Sequence, residues 1–118
     1  MKIQKNIISI YFLKNNWQNP KVRQECYDIM NYWVDKGVDG FRLDVINVIS
    51  KDENQYYVDS SIKGHKVCAN GPHVHEYIQE MNQKVFSRKE LLTVGETPAV
   101  TIEDGKKYAP LDNSELSM

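Results

Sequence analysis

Apolar positions along this chain switch between two periods, and each switch marks an element. Ile7 to Leu13 is a short apolar run that reads as a strand or a buried segment. Asn19-Pro20 then supplies a helix cap and a first helical residue whose φ is already set. Val22, Cys26, Ile29, Met30 and Trp33 follow at spacings of four, three, one and three, which is one face of a helix over about 20–36. Gly37 suits the left-handed residue that stops it. Val38 to Ile46 reads as a strand with Phe41 and Leu43 on one side and Arg42 and Asp44 on the other. Residues 47–70, rich in Asn, Asp, Ser, Lys and Gly, read as a long irregular excursion. The helical period returns from Gly71-Pro72, with Val74, Tyr77, Ile78, Met81 and Val85 as its stripe and Ser87-Arg88-Lys89 at its close. A second strand is predicted over 91–96. Thr101 and Asp104 then form a capping-box pattern for a short helix through Ala109, which Gly105 weakens.

Strand, crossover helix and strand is the module of a parallel α/β sheet. The 118 residues allow one domain with a modest core. Fifteen basic residues balance sixteen acidic ones, which gives no electrostatic footprint for nucleic acid or an anionic membrane. The Ile7–Leu13 run follows Lys2 and Lys5, but it is far short of the ~20 apolar residues of a membrane span. No small-residue cleavage site comes after it. Cys26 and Cys68 are too few for a disulfide framework and favour a reducing compartment, so the expected location is cytoplasmic. Cys26 lies on the helical stripe, where a buried inert thiol is expected.

Each predicted strand ends in a carboxylate, Asp44 on the first and Glu96 on the second. Parallel neighbours lie roughly 4.8 Å apart, so two such acids can approach the ~5–5.5 Å separation that retaining glycosidases use. Arg42 shares a face with Asp44, and a nearby cation favours the ionised form that a nucleophile requires. Glu96 has no basic neighbour in sequence. Partial burial beside another carboxylate is expected to raise its pKa, as a general acid requires. An Arg-x-Asp pair on a strand also serves as a plain ion pair, and a Glu after Gly also occurs as an exposed loop residue. Spacing alone leaves both readings open. His65, His73 and His75 with Cys68 lack the spacings of zinc sites. Two of them lie two residues apart on a predicted helix and do not share a face. No metal and no cofactor are called for.

Gly40-Phe41-Arg42-Leu43-Asp44-Val45-Ile46-Asn47 resembles the fourth-strand motif of glycoside hydrolase family 13, the α-amylase family, and Thr93-Val94-Gly95-Glu96 resembles its fifth-strand motif. Lys63-Gly64-His65-Lys66, Asn70-Gly71-Pro72, His75-Glu76-Tyr77, Glu80-Met81-Asn82 and Ser114 to Met118 are similar to its oligo-1,6-glucosidase and dextran glucosidase branch. The resemblance implies an α/β fold that is part of a (β/α)₈ barrel, covering roughly strands 4 and 5 with flanking helices. It implies that Asp44 is the nucleophile, Glu96 the acid/base and Arg42 the residue that positions the nucleophile. Val45 is similar to members that favour α-1,6 bonds, whereas trehalose-6-phosphate hydrolases are close relatives. The resemblance implies that His65 belongs to the loop above the active site, with an ordinary loop histidine the alternative. Tyr56 and Tyr57 are candidates for stacking on sugar, with ordinary loop aromatics the alternative. Trp17, Tyr27, Tyr32 and Trp33 read as helix core and flank.

The match covers about residues 16–118, and residues 1–15 are poorly explained by it. The Asn-His motif that follows the family's third strand is missing, as is the His-Asp motif that follows its seventh. The expectation is a fragment of the catalytic barrel from a longer enzyme: an α-glucosidase piece that acts on oligosaccharides only when other strands are supplied, or a non-catalytic remnant. Open sheet edges predict poor solubility or self-association.

Overall fold

A computed structural model describes residues 6–11, 16–50, 57–58, 66–67, 70–97 and 100–118. Three parallel strands form its centre: β1 (Ile7–Tyr11), β2 (Gly40–Asp44) and β5 (Leu92–Gly95), hydrogen-bonded in the order β1-β2-β5. Helix α1 (Pro20–Asp35) carries the chain from β1 to β2, and α2 (Val74–Lys84) lies on the path from β2 to β5. A two-residue antiparallel pair, β3 (Tyr57–Val58) with β4 (Lys66–Val67), interrupts the long excursion. Helix α3 (Ile102–Tyr108) follows β5. The N-terminal run, which the sequence left open between a strand and a buried segment, is thus a full member of the sheet, with Ile7 level with Gly40 and Tyr11 level with Asp44.

Local chemistry accounts for the helix ends. Asn19 Oδ1 accepts the Lys21 N–H at 3.0 Å, Pro20 opens α1, and Gly37 leaves it at φ 95°. Thr101 and Asp104 exchange the two hydrogen bonds of a capping box at the start of α3.

The buried face of α1 is Cys26, Tyr27, Met30 and Val34. It is turned from the predicted stripe, because Ile29 and Trp33 face solvent while Tyr27 goes inside. Tyr27 tolerates burial because its hydroxyl donates to Glu80 at 2.8 Å, and Arg23 closes on the same oxygen at 3.0 Å. Trp17 is also buried as expected, against Tyr27 and Tyr77, whereas Tyr32 is exposed. The predicted stripe of the second helix, Val74, Tyr77, Ile78, Met81 and Val85, is buried throughout. Cys26 is buried, as its place on the helical stripe predicts.

These helices cover one side of the sheet, where Phe41 and Leu43 point into the core and Phe41 meets Phe86 with ring centroids 6.2 Å apart. Gly40 exists because β2 and β5 approach closely: a Cβ there would lie 2.0 Å from the Leu92 carbonyl oxygen. The last residues lie along the far edge of β5. Gly95 N–H donates to the Met118 carbonyl at 2.8 Å, and Ser117 and Met118 N–H donate to that of Thr93. Among the described residues no helix is long and apolar enough to cross a membrane.

Candidate active site

Strand alternation places Arg42 and Asp44 on the side of β2 that the helices leave open. Leu43 is level with Gly95, so Glu96 leaves β5 beside Asp44. Two backbone bonds stitch these exits together. Glu96 N–H donates to the Leu43 carbonyl at 2.9 Å, and Ile46 N–H donates to the Glu96 carbonyl at 3.0 Å.

One side chain spans the two acids. The Arg42 guanidinium donates through Nη1 to Asp44 Oδ1 and through Nη2 to Glu96 Oε2. The sequence reading placed Arg42 beside Asp44 alone; in space it serves both acids, which brings the three predicted polar residues into one cluster. The Glu96 environment differs from expectation. Its side chain is 43% exposed and bound to a cation, whereas a general acid was expected to sit partly buried without one. Asp44 is the more enclosed acid, at 26%.

Val45, next in the chain, adopts φ 44°, ψ 46°. A β-branched residue in the left-handed region carries strain of about 1–3 kcal/mol, so the surroundings must impose it. They do: the chain dives immediately into the core, with Ile46 to Ser50 all buried and Ile46–Val48 wound as a 3₁₀ turn. On the β5 side, a Cβ on Gly95 would meet Leu116 at 2.5 Å and Ile46 at 3.1 Å, which explains the glycine before Glu96. Tyr11, half exposed, stands in the register row of Asp44. Sequence reading missed it because the N-terminal run was not recognised as a neighbour of the acid-bearing strand.

The base of the long excursion is closed beside this site. Asn70 N–H donates to the Asn47 carbonyl at 2.7 Å, His73 N–H to Ser50 Oγ at 3.0 Å, and the Tyr108 hydroxyl to Asn70 Oδ1 at 2.5 Å. His73 pairs with Glu76 at 2.9 Å, and His75 pairs with the buried Glu115 at 2.7 Å. The two histidines thus have separate partners, and no metal-binding group occurs among the described residues. Tyr56, His65 and Cys68 lie outside the described residues, and Tyr57 falls in β3.

A model of the α-amylase catalytic domain matches residues 9–118. The chain belongs to the α-amylase family. Among curated members of that family, the oligo-1,6-glucosidase of Bacillus cereus is 48% identical over 107 residues, covering 87% of this chain and 19% of that enzyme. The trehalose-6-phosphate hydrolase of Bacillus subtilis (strain 168) is 47% identical over 103 residues, again 87% of this chain and 18% of the relative. The crystal structure of the Bacillus licheniformis trehalose-6-phosphate hydrolase superposes with a TM-score of 0.74 at 47% identity, covering 87% of this chain and 18% of that one. This α-amylase-family chain therefore spans about a fifth of the length of the relatives it matches. Its three-stranded parallel sheet with flanking helices is a sector of the family's (β/α)₈ barrel.

Proposed function

We propose that this sector carries the reacting acids of a retaining α-glucosidase that hydrolyses terminal α-1,6 bonds in oligosaccharides. The observation that carries the reading is the single guanidinium spanning two carboxylates at neighbouring parallel strand exits. In this reading Asp44 attacks the anomeric carbon and the glycosidic C–O bond breaks. Glu96 gives its proton to the departing oxygen, then takes one from the water that releases the sugar from Asp44. Asp44 suits the nucleophile role as the more enclosed acid, held from one side by Arg42. Glu96 suits the proton-transfer role as the more exposed one, open to the departing oxygen and to the water that follows. In this reading Val45, next after Asp44, goes with the α-1,6 preference, and Tyr11 offers an aromatic face in the row of Asp44.

Names of relatives support the α-1,6 linkage: two oligo-1,6-glucosidases are 48% and 49% identical to this chain, and a glucan 1,6-alpha-glucosidase of Streptococcus pneumoniae is 48% identical. A trehalose-6-phosphate substrate is the second reading, favoured by the 47% identity of the Bacillus subtilis hydrolase. The 118-residue chain alone is expected to give no turnover of isomaltose, because three strands do not enclose a sugar.

The test is a graft. Residues 16–118 replace the matching segment of the Parageobacillus thermoglucosidasius oligo-1,6-glucosidase, and the chimera is assayed on isomaltose and on trehalose-6-phosphate. The expected result is hydrolysis of isomaltose that falls by roughly 10³-fold or more in Asp44→Asn and in Glu96→Gln. A folded chimera without activity on either sugar, or one indifferent to both substitutions, refutes the assignment. Preference for the phosphorylated sugar selects the second reading.

A further inference from the structure

Glu96 meets β2 one residue out of step. In an unbroken parallel ladder a residue donates its N–H to the residue before its partner and accepts from the residue after it. Glu96 follows Gly95, the partner of Leu43, and its N–H bonds the Leu43 carbonyl at 2.9 Å. Its own carbonyl should then take the Val45 N–H. It takes the Ile46 N–H instead, at 3.0 Å. Asp44 and Val45 together therefore oppose the single residue Glu96. That is a β-bulge, which re-aims a side chain or ends a pairing.

Val45 takes up the extra residue. Its φ 44°, ψ 46° is a left-handed step that glycine or asparagine makes readily and a β-branched residue does not. The step is held on both sides. The Val45 carbonyl accepts the Val48 N–H at 3.1 Å, and Ile46, whose N–H is bound to Glu96, is only 2% exposed. Asp44 stands between the last ladder residue and this fixed turn, while Glu96 is clasped through both its N–H and its carbonyl. The two acids thus share one backbone frame that owes nothing to the Arg42 side chain. Glycine would enter that frame without strain, but it would also leave the residue next to Asp44 free to take other conformations. A stiff valine held against its own preference leaves one. We propose that Val45 is a positioning residue, whose locked left-handed backbone fixes where Asp44 stands against Glu96. The inference rests on the assignment of these two acids above. It concerns the backbone of Val45, whereas linkage preference concerns its side chain.

Two measurements test it. In the full 118-residue chain, amide hydrogen exchange reads the frame directly. The Ile46 and Glu96 amides should exchange slowly in the parent and in Val45→Asn, and Ile46 roughly tenfold or more faster in Val45→Gly. In the grafted glucosidase, Val45→Gly should lower kcat on p-nitrophenyl α-glucoside about tenfold or more, with KM moved less than about threefold. Its melting temperature should be no lower than the parent's, because relief of strain offsets the added chain freedom. Val45→Asn, which favours the left-handed region, should recover kcat about fivefold or more over the glycine variant. A lost side-chain contact with the sugar would raise KM instead, and a merely structural role would lower the melt along with activity. An Ile46 amide that exchanges freely in the parent overturns the proposal. So does an active graft whose Val45→Gly variant keeps its kcat, or one in which asparagine recovers nothing. A folded graft with no activity overturns the glucosidase reading, and the proposal with it.

Discussion

Arg42 does at the residue scale what no backbone contact does, since it joins the side chains of two strands that are far apart in sequence. Its ion pairs are half exposed, so their worth to stability is small, about 0–1 kcal/mol. Their worth to the site is larger, because one planar fork sets the spacing of two carboxylates. Arg42→Met in the grafted enzyme should therefore leave the melting temperature within about 3 °C while lowering kcat at least tenfold, measured by calorimetry and isomaltose assay. A melt that drops as far as activity does would make Arg42 a structural residue instead. Gly40 behaves in the opposite way. Gly40→Ala drives a methyl into the Leu92 carbonyl, a backbone atom that cannot move without breaking the β2–β5 ladder. It should cost at least about 3 kcal/mol in a denaturant melt, at a position remote from the acids. The acids and Arg42 were legible in sequence because strand alternation fixes which residues share a face. The bridge from Arg42 to Glu96 was not, since nothing in a linear reading gives the register of β2 against β5.

Helix α1 shows where periodicity falls short at the scale of an element. Its ends followed from Asn19, Pro20 and Gly37, but its inward face did not follow from hydrophobicity. Ile29 and Trp33 are more apolar than Tyr27, yet Tyr27 is the buried one. The deciding term is polar: Glu80 on α2 offers its hydroxyl an acceptor, and Arg23 completes the group. Burial alone would raise the Glu80 carboxyl, but the hydrogen bonds from Tyr27 and Arg23 outweigh it and hold the group below its ordinary value of 4.5. Burial, with the Glu80 bond, pushes the Tyr27 hydroxyl above the usual phenol range. A carboxyl whose pKa is depressed by folding adds stability that is present above the unfolded value. That stability fades as pH falls below 4.5 through the folded value. Chemical denaturation between pH 7 and pH 3 should thus show an acid loss that Glu80→Gln flattens, with the variant about 1–2 kcal/mol less stable at pH 7. An acid limb unchanged by Glu80→Gln would assign the loss to other carboxylates.

Across the whole molecule the sheet has two unlike margins. Sequence reading supplied two parallel strands and left the first apolar run open between a strand and a buried segment, because so short a run lacks a period to classify it; the structure makes it the third parallel strand. The far margin was equally hidden. Residues 116–118 extend the β5 ladder, and Thr93 meets Ser117 through both backbone and hydroxyl bonds. Behind them Leu116 fills the space above Gly95, while Glu115 is buried against His75 and Gln79. Asn82 of α2 holds the same segment through the carbonyls of Asn113 and Glu115. Four residues thus connect β5 to α2 and cover a row of donors and acceptors that would otherwise recruit another strand. Removing residues 115–118 should cost about 3–5 kcal/mol, since it empties the Leu116 site and leaves His75 without its carboxylate. Leu116→Ala should cost about 2–4 kcal/mol and leave the ladder in place, so only the truncation should also raise thioflavin-positive aggregation. Equal aggregation in the two variants would show that core loss, and not the bared β5 edge, is what drives these chains together.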